Sequence, residues 1–156
     1  MLAQEVVLER LSSRGRDLDA AAVVAARAFH HDPPFTFLDP RGVTRARGLA
    51  LFWRASLAAL GPTAQLTGAW HPDGRLLGMA AVVPPGGYPL PIANQLRQAL
   101  GAARALIVRP PALVHGSRYV LAIDQAHPKE PLWYLFLLVV DPLAQRSGLG
   151  TRLQQE

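Results

Sequence analysis

The sequence predicts a single α/β domain. Half of its 156 residues are hydrophobic and 17% are charged, strand-like runs are interleaved with amphipathic stretches, and no repeat or low-complexity tract divides the chain. A chain of this length and apolar content can bury one core. Because strand and helix patterns share one sequence, we expect the helices to pack on a sheet. Global intrinsic disorder is excluded.

The first elements are a strand over residues 6–11 and a helix over residues 18–29. The strand is short, β-branched and partly alternating, and a polar turn follows it. Asp17 or Asp19 is expected to cap the helix, whose apolar residues recur at helical spacing. The prolines at 33 and 34 end this pattern, because a residue before proline disfavours helical geometry. Residues 35–40 are therefore expected to form a loop.

A second helix is predicted over residues 44–60, where an apolar stripe runs up to the Gly61-Pro62 stop. Strands over residues 64–70 and 76–83 follow. The Asp73-Gly74 pair between these two apolar runs is a strong hairpin signal. We therefore expect two adjacent antiparallel strands.

The remaining pattern before the last strand is helical. One helix is expected over residues 92–108 and another over residues 112–124, with a Pro-Pro break between them. The apolar run over residues 132–140 then predicts a buried strand.

A glycine-containing loop joins this last strand to a final helix. After Asp141-Pro142 the chain reads Gln145-Arg146-Ser147-Gly148-Leu149-Gly150, and the helix opens at Thr151. Free N–H groups at a helix start, the helix dipole and permissive glycines together favour an anion. The spacing fits neither the P-loop nor the dinucleotide fingerprint. A Gly-x-Gly alone is equally typical of an ordinary helix entry.

Residues 138–150, taken in order, resemble motif A of the GNAT acyltransferase superfamily, in which Gln or Arg, two variable residues, Gly, one variable residue and Gly or Ala follow a buried strand. Residues 127–135 look like the segment before motif A in the puromycin-acetyltransferase-like branch, and Phe29 with Asp32-Pro33 is similar to that branch as well. The resemblance implies the GNAT acyl-CoA N-acyltransferase fold, a mixed, mostly antiparallel sheet flanked by helices.

The resemblance also divides the chain. Residues 1–131 would carry the N-terminal sheet and the acceptor-side elements of one GNAT domain, and residues 132–156 its motif A strand, phosphate loop and helix start. Family members continue with further strands and a helix, so the chain is expected to be an N-terminal portion that lacks them. The strand over residues 132–140 would then keep an open edge, through which a second copy or another chain could associate.

The activity implied by the resemblance is transfer of the acetyl group of acetyl-CoA to an amine of a small molecule by direct attack. In the family the glycine loop binds the pyrophosphate, and the pantetheine arm pairs with the end of the preceding strand. The implied cofactor-binding residues are Leu138, Val139, Val140, Gln145, Arg146, Ser147, Gly148, Leu149, Gly150 and Thr151. Arg146 departs from the branch, which commonly has glycine there. The alternative is a catalytically incomplete GNAT remnant that acts as a binding module.

The resemblance places a general base early on the strand before motif A, where Tyr134 and Glu130 are the candidates. A core aromatic and a solvated loop carboxylate are the alternatives for these two residues. The general acid is expected beyond residue 156. Phe29, Asp32 and Phe35 would border the acceptor pocket, unless the phenylalanines only anchor a loop.

Composition excludes several other classes. The net charge is +5, but the arginines are scattered and Lys129 is the only lysine, so nucleic-acid binding is not expected. The adjacent His30 and His31 have no further ligands at recognisable spacing, so no metal is expected. There is no cysteine and no secretory signal, and residues 132–140 fall short of the ~20 that span a membrane; we expect a cytoplasmic protein without membrane insertion.

Overall fold

A computed structural model describes residues 6–40, 42–106, 122, 125–126 and 130–155. The helix predicted over residues 112–124 lies, apart from residue 122, outside them. The elements in chain order are β1 (Val7–Arg10), α1 (Gly15–Ala28), α2 (Pro33–Leu38), α3 (Gly42–Leu60), β2 (Gln65–Trp70), β3 (Leu76–Val83), α4 (Ile92–Leu106), β4 (Tyr134–Val140) and α5 (Leu149–Gln154).

The strands form one sheet in the order β1-β2-β3-β4, and each neighbouring pair is antiparallel. The predicted hairpin is confirmed: β2 and β3 are joined by a tight turn in which the His71 N–H donates to the Arg75 carbonyl at 2.8 Å. Gly74 has φ +84° in this turn, a backbone conformation that explains the Asp-Gly signal. Within the described residues β4 pairs with β3 alone, and it therefore forms an edge of the sheet.

Helices cover both faces of the sheet. On one face α1 packs against β3 and β4, and α3 packs against α1; fully buried Leu57 and Met79 belong to this cluster. On the other face α5 buries Leu149 and Leu153 against Ala69 and other small sheet residues. Helix α4 packs along α3, where the Gln98 side-chain amide donates to the Ser56 hydroxyl at 3.2 Å. This arrangement confirms the predicted sheet flanked by helices.

The start of α1 differs from the prediction. The helix begins at Gly15, and its N-cap, Arg14, makes no side-chain capping bond. Asp17 accepts a hydrogen bond from the Ser12 N–H at 2.9 Å instead, and Asp19 pairs with Arg54. The capping expectation was wrong because Gly15, at φ +62°, turns the chain three residues earlier than the apolar pattern begins.

Residues 33–38 form helix α2 where a loop was predicted. Prolines occupy the first turn of this helix, which tolerates them because its N–H groups have no intrahelical acceptor. The proline pair therefore ends one helix and begins the next. Asp32 is the N-cap, and its carbonyl accepts the Thr36 N–H at 2.9 Å.

The end of the chain departs from the predicted boundaries in two ways. Strand β4 begins at Tyr134, and the side chains of Leu132, Trp133 and Leu135 are exposed rather than buried. Helix α5 begins at Leu149 rather than at Thr151. Both shifts follow from tertiary contacts. Strand β4 begins where its side chains first pack against the core, at Tyr134, and α5 begins where Leu149 packs on the sheet.

Candidate functional site

The glycine loop leaves the end of β4 through a single helical turn over Pro142–Ala144. Asp141 precedes this turn and is buried. Its side chain accepts a hydrogen bond from the Leu143 N–H at 3.0 Å, and its carbonyl accepts one from the Ala144 N–H at 2.8 Å. These two bonds fix the direction in which the loop departs from the sheet.

Two residues of the loop have left-handed backbone. Arg146 has φ +60° and Gly148 has φ +83°. A glycine adopts this conformation without cost, whereas a residue with a Cβ is strained in it. Arg146 thus occupies, under strain, the position where the resembling branch has glycine. The departure from that branch at residue 146 therefore coincides with a left-handed backbone conformation.

The loop presents its polar groups to solvent. Gln145, Arg146 and Gly148 are exposed. The Ser147 hydroxyl is turned inward and donates to the Ala144 carbonyl at 2.6 Å, and the Gln145 side-chain amide donates to the Val140 carbonyl at 3.2 Å. The two side-chain bonds hold the loop in shape while its outer surface stays open to a ligand.

Helix α5 follows at once and is anchored by its apolar side. The hydrogen bond from the Arg152 N–H to the Gly148 carbonyl, at 3.1 Å, closes its first turn, so the N–H groups of residues 149–151 have no carbonyl on a preceding turn to pair with. A Cβ on Gly150 would lie 3.8 Å from Val140, an ordinary contact. The helix therefore lies close to β4, and its exposed side carries Thr151.

A β-bulge interrupts β4 just before the predicted cofactor-binding strand residues. Ala81 pairs with Leu137 and Val82 pairs with Leu135, so Phe136 is an extra residue without a partner in β3. Phe136 and Leu137 consequently pack against the same cluster, and Tyr134 joins them on that face. Bulges bend a strand and re-aim its side chains, and they are common beside active sites.

Leu138, Val139 and Val140 lie on the regular part of β4 after the bulge. Their partners in β3 are Ala80, Met79 and Gly78. Val139 is buried towards α1 and α3, while Leu138 and Val140 face α5. The opposite edge of this stretch has no strand against it in the described part of the chain.

The predicted acceptor-side phenylalanines meet in one aromatic cluster. The rings of Phe29 and Phe35 lie 5.6 Å apart, and both contact Trp53, at 5.0 and 6.0 Å. Phe52 completes the group. The cluster packs against the core, and among the described residues Trp53 Nε1 is buried without a hydrogen-bond partner.

Arg45 holds the segment that carries Asp32 and Phe35. Its guanidinium is buried and donates to three backbone carbonyls, those of His30 at 2.7 Å, Asp39 at 2.7 Å and Pro40 at 3.1 Å. Burial lowers the pKa of His30 below its ordinary value of 6.5, and the charges of His31 and Arg45 lower the pKa further. The segment is thus tied by its main chain to the start of α3.

The two candidate bases differ in their surroundings. Glu130 is exposed before β4. Tyr134 is half-buried as the first residue of β4, with its ring 5.0 Å from Tyr88 and 6.2 Å from Phe136. Asp32, at the start of α2, is half-buried. The structure thus surrounds only Tyr134 with aromatic rings.

Sequence reasoning missed two residues that shape the site, Arg27 and Arg45. Arg27 pairs with Asp141 at 3.0 Å, and Arg45 is the main-chain clamp. Both lie on helices far from the motif in sequence, and the neighbouring residues do not distinguish them from other helical arginines such as Arg54. Their partners are a residue 114 positions away and three carbonyls, which no side-chain spacing encodes.

Within the described ranges, no three His, Asp or Glu side chains converge in a manner that could hold a metal ion. Nor does any helix in those ranges combine the length and apolar content needed to cross a membrane.

Comparison with known proteins agrees with this geometry. No family model matches the sequence, and no curated protein matches it. A solved structure described as histone acetyltransferase HPA2 and related acetyltransferase, from Corynebacterium glutamicum, is similar with a TM-score of 0.63 and 17% identity. The similarity covers 97% of this chain and 68% of that chain. The chain therefore has the fold of a GNAT acetyltransferase.

Proposed function

We propose that this protein is an N-acetyltransferase that transfers the acetyl group of acetyl-CoA to an amine of a small molecule. The observation that carries the proposal is the open loop with left-handed residues at 146 and 148, which follows β4 in a GNAT fold. Backbone N–H groups exposed at the end of a strand suit a pyrophosphate. The absence of cysteine supports the cytoplasm as the compartment.

The loop fits such a ligand in shape and charge. A Cβ on Gly148 would meet nothing within 4 Å, so the space above this residue is open. Arg146 is exposed beside it and supplies positive charge. In the proposal residues 145–151 hold the pyrophosphate, and the pantetheine arm pairs with the edge of residues 138–140 that no described strand covers.

The reaction requires a neutral amine, because an ammonium has no lone pair. The amine nitrogen forms a bond to the acetyl carbon, the carbon–sulfur bond breaks, and CoA leaves as the thiolate, which then takes up a proton from solvent. Tyr134 is proposed to accept the amine proton on its phenolate oxygen, directly or through water, and Glu130 is the second candidate. A backbone N–H of β4 would stabilise the oxyanion.

A second function is favoured by one observation. Leu135 is 45% exposed on an edge strand, and such edges add strands from other chains. A catalytically incomplete remnant could therefore act as a binding module, through a second copy or another protein. A monodisperse monomer in sedimentation would contradict association through this edge.

Calorimetric titration of the full chain with CoA tests the enzyme proposal. Gly148→Asp places a carboxylate where the pyrophosphate would lie, and we expect it to weaken CoA binding by at least about tenfold. Gly74→Asp is the matched control, because Gly74 has φ +84° and an equally open Cβ position but lies in the hairpin turn. Equal losses in both variants, or no heat with the wild type, would contradict the proposal.

Turnover has a clean readout in this protein. The chain has no cysteine, so free thiol released from acetyl-CoA in the presence of small primary amines comes from the reaction alone. We expect amine-dependent thiol release that the Gly148→Asp variant loses and the Gly74→Asp variant keeps.

A further inference from the structure

An ion pair links the end of α1 to the start of the glycine loop. Arg27 lies in the last turn of α1, and its Nη1 is 3.0 Å from Oδ2 of Asp141. The Arg27 side chain is 53% exposed and the Asp141 side chain is 5% exposed. A carboxylate this deeply buried is costly to keep charged without a cationic partner.

Asp141 makes three further hydrogen bonds with the main chain. Its other carboxylate oxygen accepts the Leu143 N–H at 3.0 Å, its N–H donates to the Leu77 carbonyl at 2.7 Å, and its carbonyl accepts the Ala144 N–H at 2.8 Å. The residue therefore joins β3, the end of β4 and the turn that precedes the loop. Because Arg27 holds Oδ2 of Asp141, the other carboxylate oxygen, Oδ1, stays directed at the Leu143 N–H.

We propose that Arg27 is a positioning residue for the cofactor loop, acting through Asp141. The inference rests on the proposed function, since it assigns the loop to CoA. Without Arg27 one carboxylate oxygen of Asp141 loses its cationic partner, and the side chain can turn away from the Leu143 N–H, which weakens its hold on the turn over residues 142–144. The loop that follows then samples other orientations, and its N–H groups no longer converge on one point.

Helix α1 also leads directly into the acceptor-side segment, because Phe29 follows its last residue. The same helix end thus contacts the cofactor loop through Arg27 and the aromatic cluster through Phe29. Because α1 packs against β3 and β4, this contact fixes the position of the loop relative to the helix.

Two measurements on the full chain test the inference. In the free protein, amide hydrogen exchange of Leu143 and Ala144 reports the turn, and we expect Arg27→Met to accelerate it by roughly tenfold. In titrations with CoA we expect the same variant to raise Kd by roughly tenfold, and Arg27→Lys to restore most of the affinity.

Arg54→Met is the matched control. Arg54 pairs with Asp19 of the same helix α1 at 2.6 Å and is 52% exposed, nearly the exposure of Arg27, but it does not contact the loop. Asp141→Asn keeps an oxygen for the Leu143 N–H and removes the charge. In that background Arg27→Met should have no further effect on Kd, because the two residues act as one unit.

The outcomes separate the two proposals. Faster exchange and weaker binding in Arg27→Met, with neither in Arg54→Met, would support the positioning role. Unchanged exchange, or a Kd within twofold of the wild type, would overturn it. Wild-type protein that binds no CoA would remove the proposed function, and the exchange rates would still decide whether Arg27 holds the turn.

Discussion

Gly148 and Gly150 flank Leu149, the first residue of α5, yet alanine should have opposite effects at these two positions. Gly148 has φ +83°, where an alanine costs about 1–2 kcal/mol, offset by about 0.4–1 kcal/mol because alanine restricts the unfolded chain. Gly148→Ala should therefore destabilise the protein by up to roughly 1.6 kcal/mol. Gly150 lies within α5, and a Cβ there would be 3.8 Å from Val140. Alanine is favoured over glycine by about 0.5–1 kcal/mol in a helix.

Urea unfolding of both variants measures the difference. We expect the free energy of unfolding of Gly150→Ala to exceed that of Gly148→Ala by about 0.5–2.6 kcal/mol, a gap of roughly 1–10 °C in Tm for a chain of this size. A Gly148→Ala variant as stable as Gly150→Ala would refute the left-handed geometry of the loop, and with it the argument for open N–H groups.

Four further changes test other parts of the structure. Gly78→Ala should destabilise by about 1–3 kcal/mol in urea unfolding, because its Cβ would lie 2.9 Å from the Val139 carbonyl oxygen; wild-type stability would contradict this packing. Arg45→Met removes the three hydrogen bonds that the guanidinium donates to main-chain carbonyls and should cost about 3 kcal/mol in urea unfolding; wild-type stability would contradict this role. The lowered pKa of His30 means that the unfolded state binds more protons just below pH 6.5, so wild-type stability should rise as the pH increases through that window. His30→Gln should flatten that rise, and an identical pH profile would disprove it. Tyr134→Phe should lower kcat for acetyl transfer by about 10²-fold with the Kd for CoA unchanged, and an unaltered kcat would exclude the hydroxyl as the base.

Much of the fold was predictable because local pattern and tertiary environment agree. The strands on either side of Asp73-Gly74 and the helix ending at Leu60 follow from periodicity and turn chemistry. The fold agrees with the resemblance of residues 138–150 to motif A. These features depend on residues close together in sequence.

The failures have physical reasons. Helix α2 was missed because a proline pair breaks one helix and equally suits the first turn of another. The bulge at Phe136 was missed because the strand is apolar on both faces. Its sequence therefore does not show which side chains point to which face, and an extra residue leaves no break in the pattern. The contacts made by Arg27 and Arg45 depend on how α1 and α3 pack in the folded protein, and the spacing of residues along one sequence does not specify that packing.

The main-chain clamp at Arg45 has a consequence for how this protein can change. The guanidinium donates hydrogen bonds to backbone carbonyls, and every amino acid supplies a backbone carbonyl. The exposed side chains of residues 31–40 can therefore be exchanged without removing these hydrogen bonds. The segment beside the aromatic cluster can therefore keep its backbone path while its side chains diversify.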